Sequence, residues 1–525
     1  MISPPGNLLV FEHDKEFIVD SLRAGELDGV EVVSEVAERD FFAFLRCQGL
    51  LRELAGSYPT PRVKEEVPLW FYLAADLALR LHGRHSFASF PLVVRSGGLL
   101  SLLGPGQAER RVDPASGDLH LSCSGFNAKN VYARATPCDP EFLRKLARDT
   151  EADKLMRWYG QALPQALKKR RAFDPEGIFI GDGSYLFVPD NPAYEGSEVL
   201  SFDRSNHPVD PKKLTPEQRQ QVTRRRAYKM VMLLHTNRQR EFFLCVGLRV
   251  VPARQHDAPV LYGLVQEFVQ AVGTGLMKLL ILDRGFLDGE AIGRCRKQRI
   301  HVLLPLKKNM DLYTDALGLG RDPEADWREV SPPPDPAPPP ARRFVLGLRR
   351  LTSWSQCPVP LNVVVNREVE ASGSEQVWML ATTREWDHPA SITELYRLRT
   401  SIEERHRLLK CFQGLTAFHS QAWNLVVHQV VFTLLTSTLL QWQLHRRERA
   451  ALNRRTPARV RDAMLPAAEQ IAVYNRQRFA FLDVYEYQEL LLTLTEAARL
   501  KILRRTRQLR RSMYEIPQPR RGPPR

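Results

Sequence analysis

The chain has 525 residues, 43% apolar and 26% charged, which is long enough for two to four domains and at least one sizeable core. Lys and Arg number 75 against 60 Asp and Glu, giving a net charge of +15 and a pI near 9.6. Such a surface attracts polyanions, of which nucleic acid is the commonest, although a basic, highly soluble enzyme has the same composition. The seven cysteines (Cys47, Cys123, Cys138, Cys245, Cys295, Cys357 and Cys411) are widely spread and form no CxxC pair. This excludes a disulfide framework and a zinc ribbon or finger, and fits a reducing cytoplasm. The opening MISPPGNLLVFEHDKEF lacks a basic segment followed by an apolar core, so no signal peptide is visible.

Residues 1–173 read as a mostly helical region, open to a DNA-end-binding role. ERDFFAFLRCQGLLREL (38–54) and VPLWFYLAADLALRLHG (67–83) carry helical apolar spacing, and the helical stretch 140–171 ends in a basic run. No clean helix-turn-helix signature is present; a helical domain for folding or dimerisation is the other reading. From 174 the pattern becomes β-branched and aromatic. GIFIGDGSYLFVP, AYKMVMLLHT (227–236) and REFFLCVGLRVVP (240–252) predict three strands, and VLYGLVQEFVQAVG (260–273) a helix. MKLLILDRGF (277–286) predicts a central strand, DGEAIGRCRKQ a short helix, and IHVLLPLKK (300–308) another strand. Strands followed by βαβ crossovers imply a mixed α/β sheet with helices on both faces.

Residues 309–385 read as a β-rich insertion around the proline-rich loop SPPPDPAPPPAR (331–342), which is too proline-dense for a helix or central strand. Residues 386–445 return to helix. LVVHQVVFTLLTSTLL (425–440) contains His428, Gln429 and several hydroxyls, so it is read as a buried helix and not a membrane span. Residues 446–525 read as a helical, basic C-terminal region with a disordered tail.

Two strand ends carry aspartates. Asp182 lies in GDG on the first strand, and Asp283 ends LLILD, where ligands of open α/β sheets collect. A turn or cap role is the alternative for each. Further on, YRLRTSIEERHRLLK (396–410) places Tyr396, Arg399, Glu403 and Lys410 at roughly 0°, 300°, 340° and 320° around a helix. They form one narrow stripe beside an apolar side of Leu398, Ile402, Leu409 and Phe412. Three carboxylates on a first strand, a later strand end and a following helix can converge on two divalent cations. Hard Mg²⁺ takes oxygen ligands, and paired ions suit in-line phosphoryl displacement. Arg399 and Lys410 would offset phosphate charge that carboxylates alone repel.

At these residues the sequence resembles bacterial DDE transposases of the insertion-sequence-four type, whose YxxRxxxExxxxxxK signature is matched by Tyr396, Arg399, Glu403 and Lys410. The likeness extends to IEExH (402–406), to LDRGF around Asp283 and to VWMLATT (377–383), and covers about residues 174–445. It implies an RNase H-like catalytic core, completed by the Glu-bearing helix and interrupted by the β-rich insertion. It also implies a metal triad of Asp182, Asp283 and Glu403, served by two Mg²⁺ ions with Mn²⁺ as the alternative. Tyr396, Arg399, Lys410, His406, Arg284 and Lys307 are then expected to face DNA, with a surface or site-tuning role as the other reading of His406. Trp378 aligns with a tryptophan that, in hairpin-forming members, stacks on a flipped base; a core tryptophan is the alternative.

The match is weakest around Asp182. Asp190 is therefore a rival first ligand and Asp288 a weaker rival second ligand; Asp182 is preferred because it lies on the first strand. The implied activity is metal-dependent cleavage at the inverted-repeat ends of an insertion sequence and strand transfer into target DNA. A homodimer on double-stranded DNA in the bacterial cytoplasm, without membrane, is expected. A catalytically inactive DNA-binding derivative and a nuclease without strand transfer are the other readings.

Overall fold

The computed structural model describes residues 12–448 and 470–504, apart from short stretches between 28 and 136, residues 331–341, and positions 205, 206, 371, 412, 476, 477 and 503. The proline-rich loop, Phe412 of the signature segment and the tail beyond 504 lie outside the described residues. Two compact units emerge, Met1–Asp149 with Arg455–Arg525, and Thr150–Arg454.

The second unit is organised by one ten-stranded mixed sheet. Its strands are β1 (Ile178–Val188), β2 (Glu198–Phe202), β3 (Thr223–Thr236), β4 (Leu244–Pro252), β5 (Leu279–Ile281), β6 (His301–Pro305), β7 (Arg328–Val330), β8 (Arg342–Leu351), β9 (Leu361–Val369) and β10 (Glu375–Thr382). β1 pairs antiparallel with β3 along its whole length and parallel with β5, which pairs parallel with β6. The far edge of β3 takes β2 along Thr223–Ala227 and β4 along Tyr228–His235. The order β4-β3-β1-β5-β6, antiparallel and then parallel, is the RNase H-like core expected from sequence. β2 was missed there because EVLSF is short and half-buried, with no strong alternation.

The insertion is β-rich, as read, and it extends this same sheet. β10 returns antiparallel to β6, and β9, β8 and β7 follow outward.

Three helices close the β4 side. They are α1 (Ala152–Lys169), α2 (Asp257–Val272) and, late in the chain, the 24-residue Trp423–Arg446. An edge strand leaves unpaired N–H groups, and here side chains of the long helix satisfy them. Thr438 Oγ1 accepts from the Cys245 N–H at 3.1 Å, and Gln441 Oε1 from the Phe243 N–H at 3.0 Å. From α1, the Tyr159 hydroxyl donates to the Cys245 carbonyl at 2.8 Å. Helix α1, read from sequence with the N-terminal region, thus lies in the second unit. Trp423–Arg446 is long and apolar enough to cross a membrane by length and composition, and most of that apolar window is buried within the fold.

The first unit is helical over Lys15–Arg23, Glu35–Cys47, Leu50–Gly56, Leu69–Leu81 and Pro140–Asp149. It also contains strands in segments read as helical. Gln470–Asn475 and Arg478–Asp483 form a hairpin, and Gln470–Asn475 pairs with Gly29–Val33. The missed signal is alternation: Val473, Ala480 and Leu482 fall on one buried side and pack on Ile18 and Leu22. The described cysteines Cys47, Cys138, Cys245, Cys295, Cys357 and Cys411 are free thiols.

A buried ion pair lies inside Leu69–Leu81, where Arg80 Nε donates to Asp76 Oδ1 at 3.0 Å. Burial, opposed by Arg80, pushes the Asp76 carboxyl up to about 6. Arg80→Met leaves that charge unbalanced and is expected to destabilise this unit by about 3–5 kcal/mol at pH 7. A raised folded pKa favours the protonated form, so the loss shrinks as pH falls to 5. Thermal melts at the two pH values test this; an equal loss at both would contradict it.

Candidate active site

β1 positions the first carboxylate. Alternate residues of a strand face opposite sides, so Asp182 and Ser184 point one way and Gly181 and Gly183 the other. The glycines are there for space. A Cβ on Gly181 would strike Leu261 of α2 and lie 2.8 Å from Leu282, while one on Gly183 would lie 2.6 Å from Asp257 Oδ2. GDG is therefore mid-strand, not a turn: the glycines let α2 close on one face while Asp182 projects from the other.

Asp283 follows β5 and caps the 3₁₀ turn Arg284–Phe286, its Oδ1 accepting from the Arg284 N–H at 2.7 Å. The third carboxylate comes from the signature segment. This is not one uniform helix: α-helix Ala390–Tyr396 passes through a 3₁₀ turn, Arg397–Arg399, into α-helix Thr400–Cys411. A 3₁₀ turn winds more tightly than the assumed 3.6 residues per turn, so the sequence-stripe angles apply only locally. The apolar side is buried as expected at Leu398, Ile402 and Leu409.

All three carboxylates meet at Arg399. Its Nη1 lies 2.6 Å from Glu403 Oε1, and its Nη2 lies 3.4 Å from Asp283 Oδ2 and 3.9 Å from Asp182 Oδ2. The side chains grade outward in exposure, 14% for Asp182, 36% for Asp283 and 61% for Glu403, so the cluster opens to solvent at the helix. Burial disfavours the Arg399 charge, but Asp182, Asp283, Tyr396 and Glu403 together outweigh it and raise its pKa. Burial, opposed by Arg399 and reinforced by Asp283, Asp182 and Glu403, pushes the Tyr396 phenol up, which keeps it a neutral hydrogen-bond donor. Lys410 Nζ donates to Ser184 Oγ at 2.7 Å, and burial pushes its ammonium down to about 8 against the pull of Asp182.

His406 is not the surface residue of one sequence reading. It lies about 40° from Ile402 on the helix and is buried, so it faces inward and not toward a DNA-accessible surface. Its Nε2 is 3.5 Å from Asp182 Oδ2, and neither ring nitrogen has a hydrogen-bond partner. The two rival acids do not join the cluster. Asp190 pairs with Arg226 at 3.2 Å, and Asp288 caps the helix Gly289–Lys297 by accepting from the Ala291 N–H at 2.9 Å.

Arg284 and Lys307 are exposed. Trp378 is half-buried on β10, opposite Asn366 of β9. Register places them at the Asp283 end of the sheet: Ile281 pairs with Leu303, Pro305 with Leu380, and Leu306 bonds to Met379. The sequence reading missed Ser184, which receives Lys410. Ser184 has one signal in retrospect, its i,i+2 spacing from Asp182.

Among the described residues no three Asp, Glu, His or Cys side chains are grouped so as to hold a metal ion as they stand. The guanidinium of Arg399 is the cation they surround. The donor set, three carboxylates without thiol, nevertheless suits a hard divalent ion.

Residues 194–439 match the model of a family described as "Transposase DDE domain". The matched span contains Asp283, Tyr396, Arg399, Glu403 and Lys410 and begins after Asp182. No curated protein matches the sequence. Among solved structures, the cryo-EM structure of the piggyBac transposase synaptic complex with hairpin DNA is similar with a TM-score of 0.34 and 10% identity, covering 71% of this chain and 68% of that one. The family match supports a DDE transposase.

Proposed function

We propose that this protein is a transposase that cuts DNA at the inverted-repeat ends of its own element and joins those ends to target DNA. The observation that carries this reading is the convergence of Asp182, Asp283 and Glu403 on Arg399 in an RNase H-like sheet. The family match over the segment that supplies Asp283 and Glu403 agrees with it.

Mg²⁺, or Mn²⁺ in its place, is the proposed cofactor, held by these three carboxylates; when bound it would stabilise the attacking and leaving oxygens of an in-line displacement. The chain's own groups do the rest. Glu403 is the most exposed of the three acids, so it is the one an incoming DNA strand would meet first. Arg399 and Lys410 supply positive charge for phosphate oxygens, and neutral Tyr396 supplies a hydroxyl donor. His406 lies buried beside Asp182, its Nε2 3.5 Å from Oδ2. The carboxylates surround a cation and are not poised as nucleophiles, so no covalent protein–DNA intermediate is required. Two element ends must be held together, which favours a homodimer on DNA, acting in the bacterial cytoplasm.

The test is cleavage and joining of duplexes carrying the repeats that flank the gene. Glu403→Gln keeps size and removes the charge, and should lower cleavage about a hundredfold or more while leaving DNA binding intact. Equal cleavage by this variant would sink the assignment. Cleavage by wild type without joined products would make the protein a nuclease; binding without cleavage would make it a DNA-binding derivative.

A second measurement addresses the ion. Arg399 competes with any cation for the same carboxylates, so Arg399→Gln should bind Mn²⁺ more tightly, by about tenfold or more. Calorimetric titration without DNA reads this directly, and an unchanged affinity would show that the ion does not share the Arg399 position.

A further inference from the structure

Two adjoining open clefts of about 610 and 660 Å³ lie away from the carboxylates and share Arg296, Thr383 and Glu385. Their cations come from separate elements at one end of the sheet. Arg238 follows β3, Lys278 precedes β5, Arg384 follows β10, and Arg350 lies at the end of β8 beside the start of β9. Arg296 and Lys297 end the helix Gly289–Lys297.

This is the opposite end from the acidic cluster. Lys278 and Asp283 bracket β5, five residues apart, which is roughly 17 Å along a strand.

Charge here is strongly one-sided. Glu176 is paired with Arg238 and Glu290 with Arg294. That leaves Lys278, Arg296, Lys297, Arg350 and Arg384 without a carboxylate partner among the described residues, against Glu385. Arg296 is held in place: its Nη1 lies 3.4 Å from His301 Nε2, while His301 Nδ1 lies 2.9 Å from the Thr383 carbonyl. Burial pushes the His301 imidazole down, so it stays neutral and accepts from Arg296.

From β5, preceded by Lys278, to β8, which carries Arg350, the sheet order crosses four strand spacings, or roughly 19 Å. Cations spread over that distance cannot converge on one small anion, but they match a polymer carrying a charge about every 1.7 Å. None of the lining residues is Phe, Tyr or Trp, so the clefts lack the stacking platform that single-strand binding uses.

We propose that this edge is a second, sequence-independent binding surface for duplex DNA, separate from the carboxylate end. The proposal stands apart from the transposase reading, because binding is measured without cleavage.

The experiment compares wild type with Lys278→Gln/Lys297→Gln/Arg384→Gln for binding a labelled 30-base-pair duplex of arbitrary sequence, by fluorescence anisotropy over a series of salt concentrations without divalent metal. The triple variant should bind roughly tenfold more weakly at 0.1 M salt, with the slope of log affinity against log salt reduced by about 2 to 3. Unchanged affinity and slope would overturn the proposal, as would a loss confined to single-stranded RNA. Arg399→Gln/Lys410→Gln runs in parallel; if all duplex affinity is lost there and none in the triple variant, DNA binds only the carboxylate end. Lys278 and Lys297 are exposed, so folding should survive. If melting nonetheless shows the triple variant unfolded, Lys297→Gln alone should reduce the slope by about 1.

Discussion

The second unit depends on one electrostatic constraint: three carboxylates from distant parts of the chain share the guanidinium of Arg399. At separations near 4 Å two unit charges interact by about 4 kcal/mol at an effective dielectric of 20, so three acids brought together without a cation would repel strongly. Arg399 offsets this from a half-buried position, where its own desolvation cost is outweighed by the acids around it. The 3₁₀ turn Arg397–Arg399 delivers it there, next to the helix that carries Glu403. Sheet order delivers the other two partners, since β1 and β5 are neighbours and parallel.

That arrangement also explains why the helix can lie so close to β1. Along the strand Asp182 faces His406 and Arg399, and two residues on Ser184 receives Lys410, so the helix follows β1 through polar contacts. On the reverse face the two glycines remove side chains where α2 needs room. One strand therefore serves two helices by different means, charge on one side and absence of a Cβ on the other. Neither glycine adopts a positive φ, so their role is space and not backbone freedom.

Much of this was legible in the sequence, for identifiable reasons. The stripe Tyr396, Arg399, Glu403 and Lys410 was visible because helical periodicity is local and its residues lie within fifteen positions. The strands β1, β3, β4, β5 and β6 were visible because each is a strongly apolar run. What escaped was non-local. The Lys410–Ser184 bond joins residues 226 positions apart, and the sequence has no signal for it. The role of Gly181 is defined by Leu261 and Leu282, which only tertiary packing brings near. The surface reading of His406 failed because its helical angle follows Ile402 into the interior, where it lies beside Asp182. The hairpin 470–483 escaped because its alternation, with Val473, Ala480 and Leu482 on one buried side, was read as part of a helical region.

The sheet finally separates charge by geometry. The acids collect where the parallel strands end, and the unpaired cations of the two clefts collect where they begin, roughly 17 Å away along β5. The Debye length is about 8 Å at physiological ionic strength, so through solvent the two ends barely sense each other. An excess of positive charge at one end therefore does not weaken the attraction of the acidic cluster for a cation. Nor does the acidic cluster greatly reduce attraction of a polyanion to the basic end. A net charge of +15 and a focus of carboxylates are compatible within one fold because a strand only a few residues long keeps them two screening lengths apart.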